Sequence, residues 1–376
     1  MSDPQVILHI GGPKCGSSAL QSALSAAPDH GAYRYVAARM HRGALRPLRG
    51  FLLRRRALAS PFQYVSFPNF MRIEDPETVH HAITDAIRRG LNKGYVPILS
   101  NEGWCTWPDH FARILADLGN PPTDIVCYVR PPTDWINSAY WQWGLWSHQN
   151  LGRWLDQGNI RYNFHEKLPA FAAIPNVRLR VQRPQPDVVA KFAGLYGLKV
   201  PAVGTANGTA PTSLIGLVQR NRAPFRPSPL DPSIEFIFSR WCPMPDEPRP
   251  WAMSARHVVD LRPVLNSARA RFEQLLAPED FSDLMQDPRW HSEEPYHERM
   301  RQGLSDLKDI SLMPGLYAAL AEGVAKAEGR AGRAGHIPHA PDAATLEAWD
   351  AACSALLLRI KAADARVRRR ETLLGA

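Results

Sequence analysis

The stretch VILHIGGPKCGSSALQSAL, residues 6–24, decides how the rest of the chain is read. It opens as a short apolar run that ends in two glycines, as a buried parallel strand does where it meets a loop. From Ser17 onward, alanine and leucine recur at helical spacing. A loop joining a parallel strand to a helix presents unpaired backbone N–H groups and the positive end of the helix dipole, a setting that favours an anion. Gly11, Gly12 and Gly16 allow the backbone to approach a phosphate, Lys14 adds a point charge, and Ser17 and Ser18 add hydroxyl donors. The nucleotide-hydrolase form, G-x-x-x-x-G-K-[ST], carries its lysine after the last glycine. Here Lys14 precedes Gly16, and no clear acidic magnesium ligand follows a later strand. A nucleoside triphosphate is therefore a poor fit.

Outward from that loop the same alternation continues. YVPILS (95–100) and DIVCYVR (124–130) read as further buried strands, and NVRLRVQR (176–183) as the strand of another strand-and-helix pair. WPDHFARILADLG (107–119), PPTDWINSAYWQWGLW (131–146) and PDVVAKFAGLYGL (186–198) read as helices, the first stopping at Gly119. Strands alternating with helices predict an α/β fold around a central, largely parallel sheet. Residues 224–250 carry eight prolines and read as an irregular insertion, a lid or rim. From about residue 303 the chain is alanine-rich and helical, broken by GRAGRAGHIPHAPD (329–342). The expected organisation is an α/β domain over 1–302 and a helical extension over 303–376. The last helix is amphipathic, suited to pack on the core or on a second copy in a homodimer. No internal repeat is visible.

Composition narrows the class. The 376 residues are 45% hydrophobic, enough for a substantial core. No uncharged apolar run reaches the roughly 18 residues of a membrane span. The N-terminus has neither the basic start nor the small-residue cleavage site of a secretory signal. Cys15, Cys105, Cys127, Cys242 and Cys353 are scattered without a CxxC pair, against a zinc site or a disulfide framework. A cytoplasmic protein is expected. The formal charge of +9 points to nucleic acid, a membrane surface or anionic small molecules. Arginine is densest in 39–60 and 363–373, which read first as solvated helix faces. No zinc-finger, RRM or KH pattern accompanies them, so nucleic acid is not expected.

HIGGPKCGSSALQ (9–21) resembles the 5′-phosphosulfate loop of the sulfotransferases, P-K-[ST]-G-[ST]-[ST], and is most similar to their bacterial, carbohydrate-sulfotransferase-like branch. Those enzymes use 3′-phosphoadenosine-5′-phosphosulfate (PAPS). The resemblance implies a P-loop-like three-layer fold, with Gly12, Lys14, Cys15, Gly16, Ser17 and Ser18 around the 5′-phosphosulfate. Cys15 stands where the family has Ser or Thr. The family holds the 3′-phosphate with an arginine ending a strand and a serine eight residues later; CYVRPPTDWINSAYWQ (127–142) supplies Arg130 and Ser138 at that spacing. Arginine offers phosphate a planar, permanently charged fork, and the serine adds a hydroxyl. The vertebrate closing segment R-K-G-x-x-G-D-W-K has no counterpart. TANGTAPTSLIGLVQRN (205–221) resembles a weaker stretch of the same branch.

Sulfuryl transfer resembles phosphoryl transfer: positioning and charge stabilisation do most of the work, and the acceptor hydroxyl must give up a proton. PILSNEGW (97–104) offers Glu102 as that base, with His9 the second candidate and Lys14 steadying the leaving phosphate oxygen. Seven of the eleven tryptophans lie within 104–154, and Trp104 beside Glu102 is the expected acceptor contact, although burial in the core is the ordinary fate of such rings. The implied function is PAPS-dependent transfer to a hydroxyl of a glycan or glycolipid, with no metal. The basic 42–56 region suits an acidic polysaccharide or a lipid-linked glycan at a membrane surface. Two other readings stand beside this one, a small-molecule kinase and a non-catalytic glycan- or anion-binding protein on the same scaffold.

Overall fold

A computed structural model describes residues 3–42, 44–73, 75–148, 150–158, 162–201, 209–333, 335–342 and 345–374. At its centre β1 (Val6–Gly11) is buried at all six positions, as is β7 (Thr123–Tyr128). Strands buried on both faces are largely apolar, and that is why these segments, apart from His9, Thr123 and Asp124, read as hydrophobic runs. β2 (Asp29–His30), β3 (Tyr33–Tyr35), β6 (Val96–Ser100) and β8 (Val177–Gln182) complete a six-stranded sheet in the order β2-β3-β6-β1-β7-β8. All pairings are parallel except β2 with β3. Leu8 sits opposite Leu99 on one side and Ile125 on the other, which fixes the central register.

Helix α1 (Ser17–Ala26) packs with α2 (Gly50–Ala59) and with the helix Val188–Tyr196. A second group, α3 (Pro76–Lys93), α4 (Pro108–Ala116) and the helix Phe164–Ala172, is likewise contiguous. α5 (Pro132–Ala139) follows β7, starts with proline at its first position, and runs into a π-helical turn at Tyr140–Gly144. The expected strands and helices along 5–27, 95–146 and 176–198 are therefore present.

Between α1 and β6 the structure holds elements the sequence pattern did not announce. β4 (Ala37–His41) and β5 (Ala44–Leu48) form an antiparallel ribbon that leads into α2. Within the arginine-dense stretch, α2 buries Leu53 and Ala57, four residues apart, and leaves Arg54, Arg55 and Arg56 exposed. That is the solvated face its composition suggested.

The proline-rich insertion is less irregular than expected, since it contains the helix Ser233–Trp241. Beyond 303, the helices Met313–Ala331 and Leu346–Leu374 lie against each other and against Ser233–Trp241 and α2. Their buried residues belong to the same continuous hydrophobic cluster as the central strands. The fully buried Asp364 joins them to the insertion, accepting from Arg240, from the Trp241 indole N–H at 2.9 Å and from Arg368 at 2.7 Å. Among the described residues, no helix is long and apolar enough to cross a membrane.

Candidate functional site

The chain leaves β1, goes to the β3 and β6 side, and returns to β7 on the other flank. Such a reversal opens a crevice beyond the carboxyl ends of the strands. The loops that follow β1, β6 and β7 meet there. A cavity of about 220 Å³ is lined by Lys14, Gly16, Ser17, Ser18, Glu102, Arg130 and Ser138, together with groups from farther along the chain. Three separate sequence segments thus supply one wall.

The β1–α1 loop owes its path to glycine. Gly11 and Gly12 have φ of +91° and +83°, a region that L side chains rarely adopt. A Cβ on Gly11 would stand 2.3 Å from the Glu102 Cα, and one on Gly12 would stand 2.1 Å from the Tyr128 carbonyl oxygen. The loop is therefore wedged between its two neighbours, which presses Glu102 against it. Trp135 of α5 donates its indole N–H to the Pro13 carbonyl at 2.7 Å, tying the loop to the helix that bears Ser138. Gly16 starts α1 in the left-handed region with no side-chain cap and no acidic residue in the first turn. The positive helix end consequently faces the cavity uncompensated. The Ser17 hydroxyl and Arg130 Nε are buried polar atoms without a hydrogen-bond partner among the described residues. Such orphaned donors are costly unless something else meets them, and they fit an anionic group.

Electrostatics follow from this crowding. Burial and the Arg130 guanidinium pull the Lys14 ammonium below the ordinary lysine range, while Glu102 and Glu235 oppose the shift. An anion between Lys14 and Arg130 would relieve their repulsion. Cys15 points into the core, its thiol donating to the Pro13 carbonyl at 3.5 Å and its pKa pushed by burial up to about 12. Neither Cys15 nor Gly12 lines the cavity, so each acts on it through loop shape.

Glu102 is held by its neighbours. The Asn101 side chain donates to the Phe67 carbonyl at 2.6 Å and accepts from the Gly103 N–H at 2.7 Å, clamping the turn after β6. Two expected site residues fall elsewhere. His9 is fully buried under the loop, 2.7 Å from the Ser100 hydroxyl, and burial lowers its pKa to about 3. A ring so placed is neutral and too weak a base to serve, and it reads as a structural residue. Trp104 has no exposed surface. Its indole N–H donates to the Pro68 carbonyl at 3.2 Å, and its ring packs on Phe67 and Phe111. It belongs to the core and is not an acceptor contact.

Sequence reasoning missed the opposite wall. Glu235, Phe236 and Arg249 from the insertion, and Trp141 and Gln142 from the π turn, also line the cavity. Trp141 and Gln142 follow Ser138 by three and four residues, so helical spacing could have found them. Glu235 and Arg249 carry no comparable signal. Burial raises the Glu235 pKa, and Arg226, ion-paired with it, pushes the other way. Arg226 has a fully buried side chain that also donates to the Gln142 carbonyl at 2.7 Å and the Pro229 carbonyl at 2.8 Å, stacked 4.0 Å over Trp146. Asn137 of α5 donates to the Pro250 carbonyl at 3.1 Å and accepts from the Ala252 N–H at 2.9 Å, fixing the segment that carries Arg249. Thr209 and Ala210 line the cavity as well, whereas Asn207 and Gly208 of the 205–221 stretch lie outside the described residues. Among the described residues, no group of three or more His, Cys, Asp and Glu side chains is arranged to hold a metal ion.

Fold and site together define an α/β protein with a cationic, hydroxyl-lined cavity at the switch point of a mostly parallel sheet. No protein-family model, curated protein or solved structure matches the chain.

Proposed function

We propose that the protein is a PAPS-dependent sulfotransferase on a P-loop-like scaffold, transferring a sulfuryl group to an acceptor hydroxyl. One observation carries the reading: Lys14, Ser17 and Ser18 share a single cavity with Arg130 and Ser138, giving two anion-favouring clusters on one wall. A nucleotide with phosphates at both its 5′ and 3′ ends calls for such a pair. The orphaned Ser17 hydroxyl and Arg130 Nε support the fit. The cofactor, when bound, supplies a sulfuryl group activated by its link to the 5′-phosphate.

In this reading the N-terminus of α1 with Lys14, Ser17 and Ser18 takes the phosphosulfate end, and Arg130 with Ser138 takes the 3′-phosphate. Lys14 offers its charge where negative charge grows on the leaving oxygen. Arg226 offsets Glu235, so the carboxylate in the far wall does less to repel the ligand. Glu102 lines both this cavity and a larger groove beside it, which supports giving it the proton of the acceptor hydroxyl.

Calorimetric titration with 3′-phosphoadenosine 5′-phosphate, beside 5′-AMP and ATP–magnesium, tests the proposal. The bisphosphate is expected to bind at least ~30-fold tighter than 5′-AMP, about 2 kcal/mol for the second anion site. Preference for ATP–magnesium, or no binding at all, would overturn it. Once an acceptor is in hand, Glu102→Gln should cut turnover by ~100-fold or more while leaving bisphosphate affinity unchanged.

A further inference from the structure

Next to the cavity lies a groove of about 880 Å³, a size at which small-molecule sites commonly fall. The two share Ser18, Glu102, Gln142, Pro232 and Phe236, so the groove begins where the reacting end would be. That junction is polar on three of its five residues. From the junction, Phe236 stands in mutual ring contact with Phe62 and Tyr64 of the groove, centroids 5.2–6.2 Å apart. Met40, Met71 and Leu230 also line the groove and are 49%, 75% and 60% exposed.

These three come from separate places: β4, the 3-10 turn Phe70–Arg72, and the loop before the helix Ser233–Trp241. Single exposed apolar residues need no explanation, but convergence of three chain segments on one opening does. Charge is sparse in the same groove. Glu102 is its one carboxylate and Arg39 its one Lys or Arg among the described lining residues. A polyanionic saccharide would find little counter-charge there, and the exposed arginines of α2 are not among the lining groups.

We propose that the acceptor is an amphiphile, with a hydroxylated head at Glu102 and Gln142 and an aliphatic chain that runs over Phe62 and Phe236 to Met40, Met71 and Leu230. The proposal rests on the reading of Glu102 as the group at the reacting end. The polar junction meets the head's hydroxyls, and the apolar wall removes the chain from water in proportion to the area it covers.

The experiment titrates the full-length protein with methyl, hexyl and octyl β-D-glucoside, the last below its micelle concentration, and follows tryptophan fluorescence; Trp143 and Trp154 line the groove. The octyl compound is expected to bind at least tenfold tighter than the methyl compound. That gain should fall below threefold in Met71→Asp and in Leu230→Asp, and persist in Leu304→Asp, an equally exposed apolar position outside the groove. Thermal denaturation of each variant checks its fold, which surface changes of this kind leave intact. Affinity independent of chain length, including no binding of any glucoside, would overturn the proposal. So would a gain that survives both groove substitutions or is lost in all three variants. Titration with 3′-phosphoadenosine 5′-phosphate keeps the two readings separate. Nucleotide binding without a chain-length gain sinks the acceptor inference alone. A chain-length gain without nucleotide binding sinks sulfuryl transfer and leaves an amphiphile-binding groove.

Discussion

The two walls of the cavity are built in opposite ways. The loop from Gly11 to Ser18 is local: consecutive residues set its turn, and its Lys14, Ser17 and Ser18 line the cavity. The wall from the proline-rich segment is assembled at long range. Arg226 ties Glu235 to the π turn, Asn137 ties residues 250–252 to α5, and Asp364 ties Arg240 and Trp241 to the last helix. The contrast teaches that the cations of the first wall are available to a ligand because, among the described residues, neither the Lys14 nor the Arg130 side chain is taken up in an ion pair. The buried cation of the second wall is consumed by the structure.

Arg226→Met is the strongest way to break that distinction. It takes the ion-pair partner from the half-buried Glu235 and removes donors from two carbonyls. A stability loss of about 3–5 kcal/mol is expected, read from urea denaturation with an unchanged m-value. A loss below about 1 kcal/mol would mean that the second wall does not hang on this residue.

Acid should find the support beneath the first wall. Between the ordinary histidine pKa of 6.5 and its lowered value of about 3, His9 stays neutral in the folded chain while the unfolded chain takes the proton. The unfolded state binds more protons, so stability falls as pH drops through that window. In His9→Asn the fall should be shallower by up to about 1.4 kcal/mol per pH unit, as denaturation midpoints from pH 7 to pH 4 would record. Equal slopes would place the ring in contact with solvent.

Lys14→Met separates binding from folding. Affinity for 3′-phosphoadenosine 5′-phosphate should drop by ~10- to 100-fold, the range for charge-assisted hydrogen bonds. The ligand-free protein should be as stable as the parent or slightly more so, because a half-buried ammonium repelled by Arg130 has been removed. If stability fell along with affinity, the first wall would be structural after all. The smallest effect belongs to Arg249→Ala. This exposed cation should contribute about a threefold change in affinity, fading as salt is raised.

Legibility followed the same line. β1, β6 and β7 were readable because a strand buried on both faces must be largely apolar along its length, and the edge strand β8 because its Val177, Leu179 and Val181 alternate with polar residues. The 37–48 ribbon was not. It is a two-stranded piece whose outer residues Arg39, Met40 and His41 are exposed, so no alternation marks it. Lys14, Gly16, Ser17, Ser18 and Arg130 could be named in advance, since each lies within seven residues of the end of β1 or β7, and Ser138 because it follows Arg130 by eight. Trp104 and His9 misled for one reason. Each is next to the site in sequence, but β1 turns the His9 ring and the 3-10 turn after β6 turns the Trp104 ring into the core, where Trp104 meets the Pro68 carbonyl and His9 meets Ser100.

By itself the sequence determined the parallel sheet, the glycine loop and the spacing of two cationic clusters, because those depend on backbone geometry over a few residues. Only the tertiary structure decided that both clusters face one cavity, that Glu235 and Arg249 close it, and that an aromatic groove with an apolar mouth opens beside Glu102. These features depend on where residues more than a hundred positions apart come to rest. That outcome is set by the packing of the whole core, which no local pattern encodes.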